Sequence, residues 1–320
     1  MRVLPLRGLA LIAALGATAA PARAADVLHV GKASQTASAT LPVDVGLKQG
    51  LFAKHGIEVE LTNFEGSSRM HQAMVAGNID LGVGAGPELA LIAKGSPELA
   101  VCEADPPAAF LGIAVPEDSP ITSIDQLRGK KMSVSSIGGL TYWLALELSR
   151  KEGWGESGID MVAIGNASSS VVAALRTHIV DAAYTSTALA FLLEEKHEGR
   201  LLAPATAYAG NVGAGMIFAT KPLIAANPEA IRRFLDGWLD TVAFMRGHKA
   251  ETIEIEASVT GFSPAVQSKE YDLTIGMFND DCKFDRQSLA NLKRSFSDLK
   301  LLATPPDMAT LYTEAFLPKR

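Results

Sequence analysis

The sequence predicts an α/β protein made of two similar lobes. Three observations carry that prediction. Short apolar strands alternate with helices from Val27 to about Leu202. One helix-to-strand phrase returns about a hundred residues after its first appearance. A helical remainder with a continuous apolar stripe then completes the chain. Alternation of this kind gives βαβ units and mainly parallel sheets, and a single duplicated phrase gives two lobes rather than a solenoid.

The opening residues are an address rather than structure. Arg2 and Arg7 are basic, Leu9 to Leu15 are apolar, and Ala22-Arg23-Ala24 has the small-x-small form of a cleavage site. Residues 1–24 are therefore expected to be a signal peptide cut near Ala24, which sends the chain to the periplasm. No cysteine near the cut supports a lipid anchor. No later stretch approaches the roughly 20 apolar residues of a membrane helix.

Val27 to Val30 then reads as the first strand. Thr40 is placed as a helix cap with Pro42 in the first turn, and the helix from Leu41 to Gln49 ends at Gly50. Ile57, Val59 and Leu61 alternate as the second strand. Ser67 is expected to cap a helix running to Ala76, Gly77 to stop it, and Ile79 to Val83 to form the third strand. Further on, Ile231, Phe234, Leu235, Trp238, Val242 and Met245 make one stripe at helical spacing, with Asn227 as cap and Pro228 behind it.

The duplicated phrase is AMVAGNIDLGVGAGPELA from Ala73 and ALRTHIVDAAYTSTA from Ala174. Asp80 and Asp181 occupy matching places, where a short acceptor fixes the turn between helix and strand. A catalytic carboxylate pair is the sharper alternative, but neither residue stands near a base or a ligand cluster.

Composition narrows the function classes. The chain has 29 basic and 35 acidic residues, and losing Arg2, Arg7 and Arg23 leaves 26 against 35, a balance of −9. No basic cluster is present to neutralise phosphates, so nucleic acid is not an expected partner. Cys102 and Cys282 are the only thiols. An oxidising compartment permits them to pair, but no framework spacing exists, so a disulfide and two separate small buried hydrophobes both stay open.

Several phrases, in this order, resemble the nitrate/sulfonate/taurine (NitT/TauT) class of ABC-transporter substrate-binding proteins, a class that includes pyrimidine-precursor binders of thiamine uptake. They are GLFAKHGIEVEL from Gly50, MVAGNIDLGVGAG from Met74, ITSIDQLRGK from Ile121, KMSVSS from Lys131, EGW from Glu152 and IVDAAYTS from Ile179. One departure is His178, where the class usually has a helix-ending glycine. The resemblance implies a type II periplasmic-binding-protein fold: two Rossmann-like lobes joined by a hinge that the chain crosses twice. It places the crossings near Gly112 to Pro116 and Asn211 to Thr220, giving residues 26–112 and 213–320 to the first lobe and 113–212 to the second. It also implies a monomer that passes a small ligand to a membrane permease and its ATPase, with no cofactor, no metal and no catalysis.

Ligands of open α/β sheets bind beyond the carboxyl ends of strands, so the loops there are the candidate site. They hold Ser34, Gln35 and Thr36; Ser67, Ser68 and Arg69; Gly86; Ser136, Gly139, Thr141 and Tyr142; Thr185 and Ser186; and Asn211 at the second crossing. Glycine lets backbone approach a ligand, and free N–H groups at a helix start favour an anion. Arg69 opposes its helix dipole, which suits either an anionic head or a pairing with Glu65. The expected ligand is a sulfonate, taurine, nitrate or organic acid. The alternative is a pyrimidine precursor stacked on Tyr142 or Tyr184.

Enzyme classes have little support in the sequence. There is no G-x-S-x-G, no H-E-x-x-H and no cysteine-rich metal spacing, including the cysteine motif of pyrimidine-synthase relatives. Gly82 to Pro87 has the composition of a dinucleotide loop, but its last glycine is misplaced and Pro87 interrupts it. Loss of a turnover on replacing His71 or His178 would be the sign of an enzyme.

Overall fold

The structure, a computed structural model, describes residues 25–64, 66–165 and 167–319. The expected signal peptide lies outside the described residues. The first stretch runs β1 (Asp26–Lys32), α1 (Pro42–Lys48), α2 (Leu51–Lys54), β2 (Ile57–Asn63), α3 (Ser67–Val75), β3 (Leu81–Gly84), α4 (Leu89–Ala93) and β4 (Glu98–Pro107). The second runs β5 (Leu111–Pro116), β6 (Lys131–Val134), α5 (Leu140–Lys151), β7 (Asp160–Ala163), α6 (Ser168–Arg176), β8 (Ala182–Ser186), α7 (Thr187–Glu195) and β9 (Gly199–Pro204). The chain closes with β10 (Asn211–Thr220), α8 (Lys221–Ala226), α9 (Pro228–Gly247), α10 (Lys249–Thr260), α11 (Pro264–Thr274) and α12 (Arg286–Asp298).

These strands form two five-stranded sheets of matching order, β2-β1-β3-β10-β4 and β7-β6-β8-β5-β9. Within each, only the fourth strand runs against the rest: β10 is antiparallel to β3 and β4, and β5 is antiparallel to β8 and β9. The exception has a topological cause. β5 arrives directly from β4 of the other sheet and β10 directly from β9, so each enters its new sheet at the carboxyl edge and must run backwards.

The same connections fix how the sheets meet. The links between them, residues 108–110 and 205–210, both join the carboxyl edge of one sheet to the carboxyl edge of the other. The shorter link, from the end of β4 to the start of β5, reaches about 14 Å at full extension. The two carboxyl edges are therefore close together where the chain crosses between the sheets. Gly112 sits inside β5, where a side chain would meet Leu201, Thr187 and the carbonyl of Ala203.

The repeated aspartates perform the same local task twice. Asp80 Oδ2 accepts from the His29 N–H at 2.9 Å while its own N–H donates to the His29 carbonyl at 2.8 Å. Asp181 repeats both bonds with Lys131, each at 2.8 Å. Each aspartate thus pins the start of one strand to its neighbour. Upstream, Gly77 ends α3 at φ 78° and His178 ends α6 at φ 52°, so the histidine takes the left-handed position its sequence context demands.

Two caps differ from expectation. Thr40 lies in a short 3₁₀ turn, where its hydroxyl donates to the carbonyls of Ser34 and Ala37, and Leu41 takes the cap position. Ser67 is the first residue of α3 and Gly66, at φ 109°, precedes it. The long helix α9 follows the sequence closely. Asn227 Oδ1 accepts from the Ala230 N–H at 3.2 Å, and the whole predicted stripe is buried. Phe234 stacks on Phe52 at 4.9 Å, in a space kept open by the absence of a side chain at Gly237.

The structure decides between the two states open to the cysteines. Cys102 on β4 and Cys282 are joined, with Cα atoms 4.6 Å apart, across 180 residues of chain. The backbone brings them together: the Glu103 N–H donates to the Cys282 carbonyl, and the Asn279 N–H to the Ala104 carbonyl. Residues 279–282 thereby run along the open edge of β4, an adjacency that cysteine spacing does not reveal.

Candidate functional site

The carboxyl edge of the first sheet carries the loop after β1, the start of α3 and the turn after β3. Ser34 Oγ accepts from the N–H groups of Thr36 and Ala37 at 3.3 and 3.2 Å, so its hydroxyl shapes its own turn. Gln35 reaches away, donating to the Val259 carbonyl at 3.3 Å. Thr36 is half-buried. Ser67 is half-buried, and Ser68 and Arg69 lie on the first turn of α3. Glu65, the expected alternative partner of Arg69, lies outside the described residues.

The glycine-rich run from Gly82 in β3 to Gly86 just beyond it is explained by packing rather than by phosphate. A side chain at Gly82 would meet Met74 and Met70 at 2.7 and 2.9 Å. One at Gly84 would meet the Glu88 carboxylate, and one at Gly86 the Gly213 carbonyl and Leu292. Gly86 is accordingly buried. These glycines let neighbouring elements close onto the end of β3.

On the carboxyl edge of the second sheet, Ser136 and Ile137 are exposed, Gly139 precedes α5, and Tyr142 is half-buried on its first turn. Thr141 is buried; its hydroxyl accepts from the Ser135 N–H at 2.9 Å and so folds the loop onto the helix. Ser186 caps α7, accepting from the Leu189 N–H at 3.2 Å, and Thr185 is buried. Asn211 opens β10, and its carbonyl accepts from Asn291 Nδ2 at 2.7 Å. Tyr184, expected as a stacking platform, is instead buried, with its hydroxyl bonded to that of Tyr208. Alternation along β8 sends it inward. His178 lies at the opposite, amino edge of its sheet, beside a surface hollow shared with His197.

The structure also gathers buried charge that sequence reasoning missed. Lys32, the last residue of β1, is wholly buried against Asp44, and its Nζ also donates to the Gln35 carbonyl at 3.4 Å. Burial pushes both toward their neutral forms, and their mutual attraction opposes it. Glu256 of α10 is raised to about 8, by burial first and then by the like charges of Glu270 and Asp44. Glu270 is raised by burial to about 7, although the Ser38 and Thr187 hydroxyls favour its charged form. Glu270 accepts from the Ser38 hydroxyl and so ties α11 to the loop after β1, while its second oxygen is buried with no hydrogen-bond partner among the described residues.

On β4, Glu103 and Asp105 are completely buried. Burial raises Glu103 to about 7 even though it accepts from the Asp285 N–H, and it holds Asp105 well above the usual carboxylate range. Asp105 occupies the space that a side chain at Gly215 would need. The signal was present in the sequence as acidic residues at alternate positions of an otherwise apolar strand.

A third cluster joins the sheets at the C-terminal end of α12. Asp298 accepts from Trp143 Nε1 at 3.1 Å and from Arg150 at 2.6 Å, and Arg294 pairs with Glu147 while lying over the Trp143 ring. Among the described residues no group of histidines, cysteines and carboxylates is arranged to hold a metal ion. Among them too, no helix is long and apolar enough to cross a membrane.

With this geometry established, comparison with known proteins is informative. Residues 38–252 match the family described as NMT1/THI5 like. The chain belongs to the NMT1/THI5-like family. No curated protein sequence matches it. Among solved structures it is similar to the periplasmic aliphatic sulphonate binding protein SsuA from Escherichia coli, at TM-score 0.76 and 20% identity, over 90% of this chain and 92% of that one. It is equally similar to the alkanesulfonate-binding protein SsuA from Xanthomonas axonopodis pv. citri bound to MOPS, at TM-score 0.76 and 20% identity, over 91% and 99% of the two chains. The desulfurization enzyme DSZB shares the fold at TM-score 0.62 and 17% identity, over 91% and 97%. The two-lobed periplasmic-binding-protein fold is thus the fold of this chain.

Proposed function

We propose that this chain is the solute-binding component of an ABC importer, exported to the periplasm and acting as a monomer. It holds one small anion, such as a sulfonate, taurine, nitrate or an organic acid, between its lobes and delivers it to a permease and ATPase. The lobes part at the two links, so that residues up to 107 and from 211 onward belong to one and residues 111–204 to the other. The observation that supports this most is that two short links both join carboxyl edge to carboxyl edge, which lets the lobes close on a solute by bending at those links.

The contacts fall into those that build the rim and those that approach the solute. Ser34, Thr141 and Ser186 shape their own loops, and Gly86 packs against β10, so these residues build the rim. Gln35, Thr36, Thr185 and Asn211 flank it. Ser67, Ser68 and Arg69 approach the solute from one lobe, and Ser136, Gly139 and Tyr142 from the other. The start of α3 offers N–H groups and a positive dipole end, and Arg69 adds a full charge. Two similar structures are sulfonate binders by name, which favours an anionic head.

The enzyme alternative has DSZB on the same fold. In this chain both cysteines are consumed by the buried Cys102–Cys282 bond, which leaves no thiol for nucleophilic chemistry. Calorimetric titration of alkanesulfonates, taurine, nitrate and aromatic acids tests the proposal. One saturable site weakened by Arg69→Ala is expected. Flat titrations across the panel would remove the anion reading. Binding of a neutral pyrimidine that depends on Tyr142 and ignores Arg69 would replace it with the heterocycle reading.

A further inference from the structure

His71 is the residue that the sequence singled out and that solute binding leaves unused. It sits one turn into α3, only 2% exposed, with Nδ1 2.8 Å from Glu98 Oε2 and Nε2 2.7 Å from Glu88 Oε2. A neutral imidazole has one N–H and one lone pair, so one of these contacts would set a lone pair against a carboxylate. Two ionised carboxylate partners require two N–H groups, so with both glutamates ionised the ring is an imidazolium. Its other neighbour is the ring of Phe218, edge-on at 4.9 Å, which closes the pocket.

The two glutamates come from different elements. Glu88 ends the 3₁₀ turn Gly86–Glu88 that follows β3, and Glu98 opens β4, where the Ser96 hydroxyl also donates to it. The Glu88 carboxylate folds back over Gly84, in space that any side chain there would fill. One function of the glycine at 84 is thus to let Glu88 reach His71. We propose that His71 is a positioning residue of the solute site, joining through its two ring nitrogens the helix that presents Ser67, Ser68 and Arg69 to the turn that follows β3. This rests on the binding reading above.

The arrangement is sensitive to the cation. Burial alone would lower the histidine, but the hydrogen bonds and charges of Glu88 and Glu98 more than offset that and raise it to about 10. Without the cation, the buried Glu98 and the half-buried Glu88 face each other with no positive charge between them, and the partner free to shift is the short turn carrying Glu88 rather than strand β4. The turn and the start of α3 then lose their fixed relation.

Nitrogen NMR of the histidine-labelled protein should show both ring nitrogens of His71 protonated at pH 8. A neutral ring at that pH would overturn the proposal, and this measurement needs no variant that might fail to fold. In ligand-free protein, His71→Gln should speed amide exchange at residues 66–72 and 84–90 while leaving α9 unchanged. Unchanged exchange there, or equal loss across both sheets, would overturn it. Titration with the panel's tightest-binding anion should show affinity reduced by at least about tenfold in the variant, as for other residues that orient a binding group from behind. Equal affinity would overturn the positioning role. If no anion binds the unaltered protein, the binding reading fails, while NMR and exchange still decide whether His71 holds the two segments.

Discussion

Replacing Cys102 and Cys282 together by alanine should be the most damaging change that leaves the carboxyl edges untouched. The bond closes a loop spanning a separation of 180 residues. The chain-entropy relation for such a loop gives about 5 kcal/mol at 25 °C, and the losses usual in real proteins bring the expectation to about 2–4 kcal/mol. The loop encloses the entire second sheet, so the bond restrains the very residues that connect the lobes. At roughly 2–3 °C per kcal/mol for a chain of this size, the melting temperature should fall by about 5–10 °C. Differential scanning calorimetry of the variant against the oxidised protein measures that shift. Alkylation of the denatured, unreduced protein followed by intact-mass measurement should find no free thiol. Two alkylated cysteines, or equal melting temperatures, would refute the reasoning.

Further expectations concern pH and packing. His71 is raised to about 10, so its contribution is complete below about 6.5 and is lost as pH rises through 10. Glu103, Glu256 and Glu270 are raised to about 7, 8 and 7, so the folded state holds their protons more tightly and loses stability as pH climbs from about 4.5 to 8. Both effects have one sign: thermal scans should show stability declining from pH 5 to pH 9, and a maximum above pH 8 would contradict the assignments. Gly215→Ala intrudes on Asp105 and should destabilise by about 1–3 kcal/mol in urea unfolding. His178→Gly relieves a left-handed backbone position and should stabilise by up to about 1 kcal/mol, with no effect on solute affinity.

Much of the fold was legible because local rules and tertiary contacts agree. Strand and helix alternation, the paired Asp80 and Asp181, and the α9 stripe each follow from neighbours in sequence. The caps were misplaced where a loop offered a competing bond, as when the Thr40 hydroxyl turned to Ser34 and Ala37. The disulfide and the His71 cluster join residues far apart in the chain. No local pattern announces such pairings. Of the candidate contacts, the loops could be ranked from strand ends alone, but not which hydroxyls were already bonded within their own turns, as at Ser34, Thr141 and Ser186.

A crystal structure grown with the tightest-binding solute of the panel tests the central claim most directly. The account predicts one molecule enclosed between the carboxyl edges, touching Ser67–Arg69 from one lobe and Ser136–Tyr142 from the other. A solute held by a single lobe, or lodged at the amino edge of either sheet, would contradict it.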